Sequence, residues 1–272
     1  MATTTIGWGD GSGDNLYLTY PDASGDQTVS VTSDANTGAA RSKTVTFTAS
    51  GVSPVTLTVN QAAGLPYTPL EYIQTDGVAY IDSGVVGKGP RAFRLKVKLN
   101  DTLTNSEVIV GCGNTDGATS TFAAGSRGSS YPGKIGLGYY YFYNSSMADV
   151  PSSQPFEIRC VLRYGENYIA VKGLNDASFT KYTKTQNRNI STNRNMYIFA
   201  SNNNNSPARK MANGERIYYV KIYSSIDTQT DTYYGLLFDG VPALYNGEYG
   251  LWDTVSNSFF GNVAGSGAFS GG

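Results

Sequence analysis

Apolar and polar residues alternate with period 2 along most of this chain. A pleated strand sends successive side chains to opposite faces, so the pattern predicts half-buried sheet throughout. The cleanest run is residues 93–99. Phe93, Leu95, Val97 and Leu99 point one way, and Arg94, Lys96 and Lys98 form a basic stripe on the other. That stripe reads either as a solvated face guarding a sheet edge by charge, or as a contact surface for an acidic partner. Residues 156–164 repeat the alternation with Phe156, Ile158, Cys160, Leu162 and Tyr164 inward. Gly165-Glu166-Asn167 is a hairpin loop, 168–172 returns, and 196–200 is a further strand.

The stretch 214–262 is the organising element. In 217–223, Tyr218, Val220 and Ile222 are expected on one face, and Ile217, Tyr219, Lys221 and Tyr223 on the other. A second strand begins at 236–238, with Pro242 at its end, where no ladder N–H is needed. Asn246-Gly247 is a hairpin dipeptide, because both residues tolerate positive φ. Residues 250–253 lead through Ser256-Asn257-Ser258 to a last strand at Phe259-Phe260.

The first 61 residues carry shorter strands. Runs at 15–20, 27–32, 43–49 and 55–61 are spaced as in a small Ig-like sandwich, with Val45 and Phe47, then Val55, Leu57 and Val59, inward. Residues 1–13 read either as a docking tail or as an edge strand anchored by Trp8. Residues 62–69, with Pro66 and Pro69, form a stiff linker. The expected organisation is therefore 1–61, an Ig-like module; 62–69, a linker; and 70–272, a larger β-sandwich.

Composition supports all-β and narrows the chemistry. The 272 residues include 32 Gly and 21 Tyr, with only 15% charged, and the long amphipathic runs of helices are missing. Net charge is −1 with no basic block, so nucleic acid is not an expected partner. There is no histidine, which removes Ser-His-Asp and Cys-His nucleophiles and every histidine metal site. The closely spaced carboxylates of a glycosidase strand are also missing; Glu71 and Asp76, or Asp239 and Glu248, stand apart. No calcium loop of the Asp-x-Asp-x-Asn-Gly kind occurs; Asp116 and Asp149 are the carboxylates that a loop-held calcium could use, and neither is assigned as a ligand. No catalytic residue, metal site or cofactor is expected. Cys112 and Cys160 each sit in a strand pattern, as buried small hydrophobes or as one disulfide. The first residues lack the charge and apolar core of a secretory signal, and no stretch nears the roughly 20 apolar residues of a membrane span. No membrane partner is expected.

One strand stands out for binding. In 134–144, KIGLGYYYFYN, Ile135 and Leu137 are expected in the core, followed by Tyr139, Tyr141 and Tyr143. The other face then shows Gly136, Gly138, Tyr140 and Phe142. It is either a shelf for a stacked sugar ring or a face packed against another strand, loop or subunit. Asn144 adds hydrogen-bonding groups, so Tyr140, Phe142 and Asn144 are the candidate glycan-binding residues. Residues 202–206, four asparagines and a serine, read as an exposed loop, either a polar turn or amides that contact sugar.

Two resemblances complete the reading. The order YYVKIY, LLFDGVPALYNGEYGLWD, NSFFGN and AGSGAFSGG, preceded by LEYIQTDG and YIDSG, resembles the concanavalin A-like (laminin-G-like) lectin domains of phage structural proteins over residues 65–272. The segments at 70–77 and 80–84 resemble that family's first strand pair. Asn36, Thr37, Gly38, Arg41 and Val59-Asn60-Gln61 resemble BACON-type Ig-like modules, though the tryptophan-containing middle strand is absent. The resemblance implies a jelly-roll sandwich and a non-enzymatic virion protein, a capsid decoration or fibre, assembled in the host cytoplasm. It implies other virion proteins as partners, a host-surface glycan as ligand and a trimer as a plausible assembly. The alternative is a carbohydrate-binding module of a gut bacterial protein.

Overall fold

In the computed structural model, residues 2–20, 28–36, 38–49, 51–88, 90–99, 106–113, 122–126, 131–138, 147–150, 154–162, 165–186 and 191–272 are described. All regular structure among them is β-strand, in two compact units, Met1–Pro66 and Tyr67–Gly272.

The first unit holds two small antiparallel sheets. β1 (Ala2–Gly7), β2 (Asn15–Tyr20) and β3 (Ser30–Ser33) form one; β4 (Arg41–Ala49) and β5 (Val52–Gln61) form the other. Residues 2–7 thus make an edge strand rather than a tail, and Trp8 behind it is buried. The Arg41 guanidinium lies 4.6 Å from the Trp8 ring centroid and pairs with Asp10 at 2.9 Å and Asp14 at 2.8 Å. Hydrogen bonds from the Ser12 side chain and from Arg41 hold the Asp10 carboxyl far below the usual carboxylate range. Among its described residues the unit has little apolar interior. Val55, expected inward, is 64% exposed, and Leu57 and Val59 are only half-buried.

The second unit is a two-sheet sandwich. The smaller sheet runs β13 (Met147–Asp149), β12 (Lys134–Gly138), β11 (Phe122–Ser126), β10 (Val108–Gly113), β17 (Ser191–Ile198), β8 (Ile81–Lys88), with β18 (Ser201–Asn203) beside β10 and β19 (Ser206–Ala208) beside β18. The larger runs β16 (Thr180–Gln186), β15 (Gly165–Lys172), β14 (Phe156–Leu162), β9 (Arg91–Lys98), β20 (Arg216–Asp227), β21 (Thr232–Tyr245), β22 (Glu248–Asp253), β23 (Ser258–Phe260). β6 (Thr68–Pro69), β7 (Ile73–Thr75) and β24 (Phe269–Gly271) complete it. The chain passes back and forth between the sheets, as in a jelly roll, and one core fills the space between them. Phe93, Leu95, Phe156 and Ile158 from the larger sheet meet Val110, Cys112, Ile135 and Met196 from the smaller. The all-β sandwich expected from alternation is what the chain forms.

Several local expectations need correction. Ile217, Val220 and Ile222 all face the core, although odd and even positions were expected on opposite faces. A bulge between Ile217 and Tyr219, opposite β9, adds one residue and reverses the phase. Pro242 sits inside β21, not at its end. Its carbonyl accepts the Leu70 N–H, so its missing N–H faces the same side, where pairing with β20 has already stopped at Gly240. The segments at 70–77 and 80–84 do not pair with each other. β7 joins β20 and β24 in the larger sheet, while β8 joins β17 in the smaller. Tyr67 and β6, expected in the linker, belong to the second unit: Tyr67 stacks on Trp252 at 4.9 Å and β6 pairs with β21. Cys112 and Cys160 lie in opposite sheets, buried and unpaired. Burial pushes the Cys112 thiol up to about 12, so it stays protonated. Other expectations hold. Asn246 and Gly247 have φ of 49° and 84°, the two left-handed residues of a tight hairpin.

Asp253 closes the β22–β23 corner. It is 2% exposed and accepts the N–H of Asp239 at 2.7 Å, of Val255 at 3.2 Å and of Ser256 at 3.0 Å, and the Ser256 hydroxyl at 2.6 Å. Removing a buried acceptor strands its donors, so Asp253→Ala is expected to cost about 3 kcal/mol. Urea unfolding followed by tryptophan fluorescence checks this; a midpoint unchanged from the parent would contradict it.

Candidate functional site

β9 is an interior strand, flanked by β14 and β20. The basic stripe therefore does not guard an edge. Because Phe93, Leu95 and Val97 are committed to the core, period 2 sends Arg94, Lys96 and Lys98 to the sheet's outer face. Antiparallel register then extends the stripe sideways. Lys221 of β20 is directly opposite Arg94, and Arg94 is directly opposite Arg159 of β14. Beyond the small Ala170 of β15 the same row reaches Lys181 of β16. A second row runs Tyr219, Lys96, Glu157, Lys172, and a third pairs Arg216 with Lys98.

These cations rest mainly on aromatic rings. Arg159 lies 3.9 Å over Phe179, Lys181 4.0 Å over Tyr168, Arg216 4.0 Å over Tyr72, Lys96 5.0 Å over Tyr218 and Arg94 5.7 Å over Tyr233. Among the described residues, Asp239 takes Lys221 at 2.9 Å and Asp231 lies 3.5 Å from Arg159. The Nε atoms of Arg94 and Arg159 are buried with no hydrogen-bond partner among the described residues. Burial, with Glu157 adding to it, pushes the Tyr219 phenol up to about 12; burial does the same to Tyr233. Both therefore stay neutral at ordinary pH. The tip of the β20–β21 hairpin bounds one end of the face. Ile226 packs there with Ala92, Val161 and Ala170, and Tyr168 donates to Asp231 at 3.0 Å. At the other end of the same face, Tyr67 and Tyr245 pack on Trp252, and Phe259 packs on Tyr245.

A separate cleft of about 490 Å³ lies between β22 and the loop 262–269. Its polar frame is spent internally. The Asn262 amide donates to the Ser266 and Gly267 carbonyls at 3.1 Å and accepts the N–H of Ala264 at 2.9 Å, and Asp76 accepts the Ala268 N–H at 2.7 Å. Glu248 at its wall is the one side-chain carboxylate among the lining residues. The outer face of the larger sheet is the richer candidate.

Tyr140, Phe142 and Asn144, the residues expected to bind glycan, lie outside the described residues, as does Asp116. In β12, Ile135 and Leu137 lie in the core as expected, while Gly136 between them is buried rather than open. Asp149 is tied to Lys134 at 2.6 Å. Asn204 and Asn205 make the expected polar turn with φ of 54° and 65°, but Asn202 is buried, donating to the Asn195 carbonyl at 2.9 Å. Among the described residues no three His, Cys, Asp or Glu side chains gather as metal ligands.

Sequence reasoning also missed a buried carboxyl pair, Glu107 and Glu215, because they come from opposite sheets' margins. Glu107 is 6% exposed; burial raises its carboxyl, while a hydrogen bond with Glu215 pulls the other way. A carboxyl raised in the folded state contributes stability below its ordinary range and loses it as pH rises through the raised value. Glu107→Gln keeps a hydrogen bond and never ionises. It is expected to raise the melting temperature at pH 8 and to leave it nearly unchanged at pH 4; an equal shift at both would show that ionisation is not the cause.

No protein-family model matches this chain, and no curated protein matches it in sequence. Solved structures give distant likenesses. Domains LG4-5 of the mouse laminin α1 chain are 10% identical with a TM-score of 0.40, covering 61% of this chain and 43% of that one. A protein of unknown function from Shewanella oneidensis MR-1 is 8% identical with a TM-score of 0.33, covering 80% and 72%. The zebrafish Gpr126/Adgrg6 extracellular region is 9% identical with a TM-score of 0.39, covering 94% and 37%. The chain thus spans less than half of the laminin and receptor chains.

Proposed function

We propose that this chain is a non-enzymatic adhesion protein that meets a saccharide surface through the outer face of its larger sheet. One observation carries the reading: half-buried tyrosines stand beside cations along a continuous face. Tyr218 and Tyr72 have ring centroids 5.8 Å apart and carry Lys96 and Arg216. Flat rings offer apolar area at little entropic cost, and the cations and hydroxyls between them supply hydrogen bonds. The eight strands from β16 to β23, at about 4.8 Å spacing, make this face roughly 34 Å wide, enough for several sugar units. Adhesion to a polymer needs such an extended face more than a closed pocket.

The setting we propose is a phage virion, as a capsid decoration or fibre with a host-surface glycan as target and other virion proteins as partners. The resemblance of residues 65–272 to phage lectin-like domains supports it. A gut bacterial carbohydrate-binding module remains the second reading, supported by the BACON-like residues of the first unit.

A polysaccharide array probed with the purified chain tests the adhesion reading. Tyr218→Ala is expected to weaken binding about 10-fold with the melting curve preserved, the size expected of a central aromatic contact. Binding to no polysaccharide, or binding indifferent to Tyr218→Ala, would remove this face as the site. The virion setting is tested separately by mass spectrometry of purified particles, where the chain is expected and its absence would favour the bacterial module.

A further inference from the structure

The outer face holds a charge arrangement that sheet folding by itself disfavours. Like charges directly opposite on neighbouring strands destabilise an antiparallel pair. Here Lys221, Arg94 and Arg159 are directly opposite one another across three adjacent strands, at the centre of the largest sheet. The neighbouring row places Lys96 and Lys172 on either side of Glu157, and Lys98 is opposite Arg216. The whole chain carries a net charge of −1, so the positive face is a local concentration rather than a reflection of composition. Edge protection does not account for it, since β9 and β14 are both interior.

The rings explain how the row is held. A cation over a ring face gains electrostatic attraction without losing its charge. Arg94, Lys96 and Arg159 are each placed in this way, so the side chains are fixed while their positive field stays available. Among the described residues Asp239 pairs with Lys221 and Asp231 lies near Arg159, while Arg94 between them rests over the Tyr233 ring. A ligand bringing negative charge would relieve the repulsion, and fixed side chains lose little freedom on binding it.

We propose that this row is a binding site for carboxylated polysaccharide, with Arg94 at its centre and Lys96 and Lys98 along its flank. The proposal rests on the saccharide-adhesion reading above and names the chemical class of its ligand. The planar guanidinium of Arg94 matches a carboxylate through two parallel hydrogen bonds, which an ammonium cannot reproduce. The neighbouring Tyr218 and Tyr219 supply flat apolar area for the sugar ring beside that carboxylate. Binding through such a face weakens as salt rises, because exposed charges are screened beyond about 8 Å at physiological ionic strength.

Three polymers separate the outcomes: polygalacturonate, which is carboxylated; dextran sulfate, which is sulfated; and neutral dextran. The full chain is expected to bind polygalacturonate at low ionic strength at least 10-fold more tightly than dextran, and to lose most of that advantage in 0.5 M salt. Lys96→Gln with Lys98→Gln is expected to weaken it about 10-fold. Arg94→Lys, which keeps the charge but loses the fork, is expected to weaken polygalacturonate more than dextran sulfate. Arg94→Gln should lose binding while its melting temperature holds or rises, because a repulsive neighbour of Lys221 and Arg159 is gone; a residue kept for structure would show the reverse. If Arg94→Gln fails to fold, the double lysine variant still decides. Dextran bound as tightly as polygalacturonate would overturn the anionic ligand and leave saccharide adhesion standing. Equal binding of both anionic polymers, with Arg94→Lys indifferent, would overturn the carboxylate assignment in favour of an unspecific cationic surface. Binding to none of the three would overturn the proposal, and if the polysaccharide array is also blank the adhesion reading falls with it.

Discussion

The two-sided commitment of β9 is the constraint on which the second unit depends. Its even and odd positions cannot trade places without moving Phe93, Leu95 and Val97 out of the core. Holding those three inward fixes the pairing with β14 and β20, and that pairing fixes which outward residues become neighbours. The apolar face of the sheet thus determines the composition of its polar face. Core and candidate site are two readings of a single register.

The bulge at Tyr218–Tyr219 is the second decisive feature. It lets Ile217 and Val220 both reach the core while two tyrosines follow one another along the outer side of β20. Without the extra residue, strict alternation would bury one of the pair or expose Ile217. The bulge also brings Tyr219 opposite Lys96 and leaves Lys221 opposite Arg94. An irregularity of one residue therefore sets which side chains of β20 stand beside the cations of β9. Bulges are frequent where a strand must redirect side chains for a purpose other than pairing.

The two units differ in how they are held. In the second, buried apolar side chains from two sheets form a continuous core, with Asp253 and Asp76 collecting the N–H groups of corners and loops. In the first, the buried hydrophobic side chains are few, and Arg41 ties Trp8, Asp10, Asp14 and Gln61 together through hydrogen bonds and a ring contact. Small domains bury a smaller fraction of their surface, so a polar clasp carries relatively more there.

Much of this was legible in the sequence. Alternation gave the strand class, the inward residues of β9 and β14, and the Asn246-Gly247 hairpin, because these depend on local sterics and period 2 alone. The absence of histidine was likewise a property of the chain itself. What the sequence could not show was which strands adjoin. The basic stripe of residues 94–98 was visible, but its continuation into Lys221, Arg159 and Lys181 comes from residues more than sixty positions away, aligned only by pairing. The bulge at Tyr218, the interior place of Pro242, the return of Phe269 to β7 and the meeting of Glu107 with Glu215 are of the same kind. Period 2 is encoded one residue at a time; neighbourhood across a sandwich is set by the competition of all strands for one core, and only the tertiary structure resolves it.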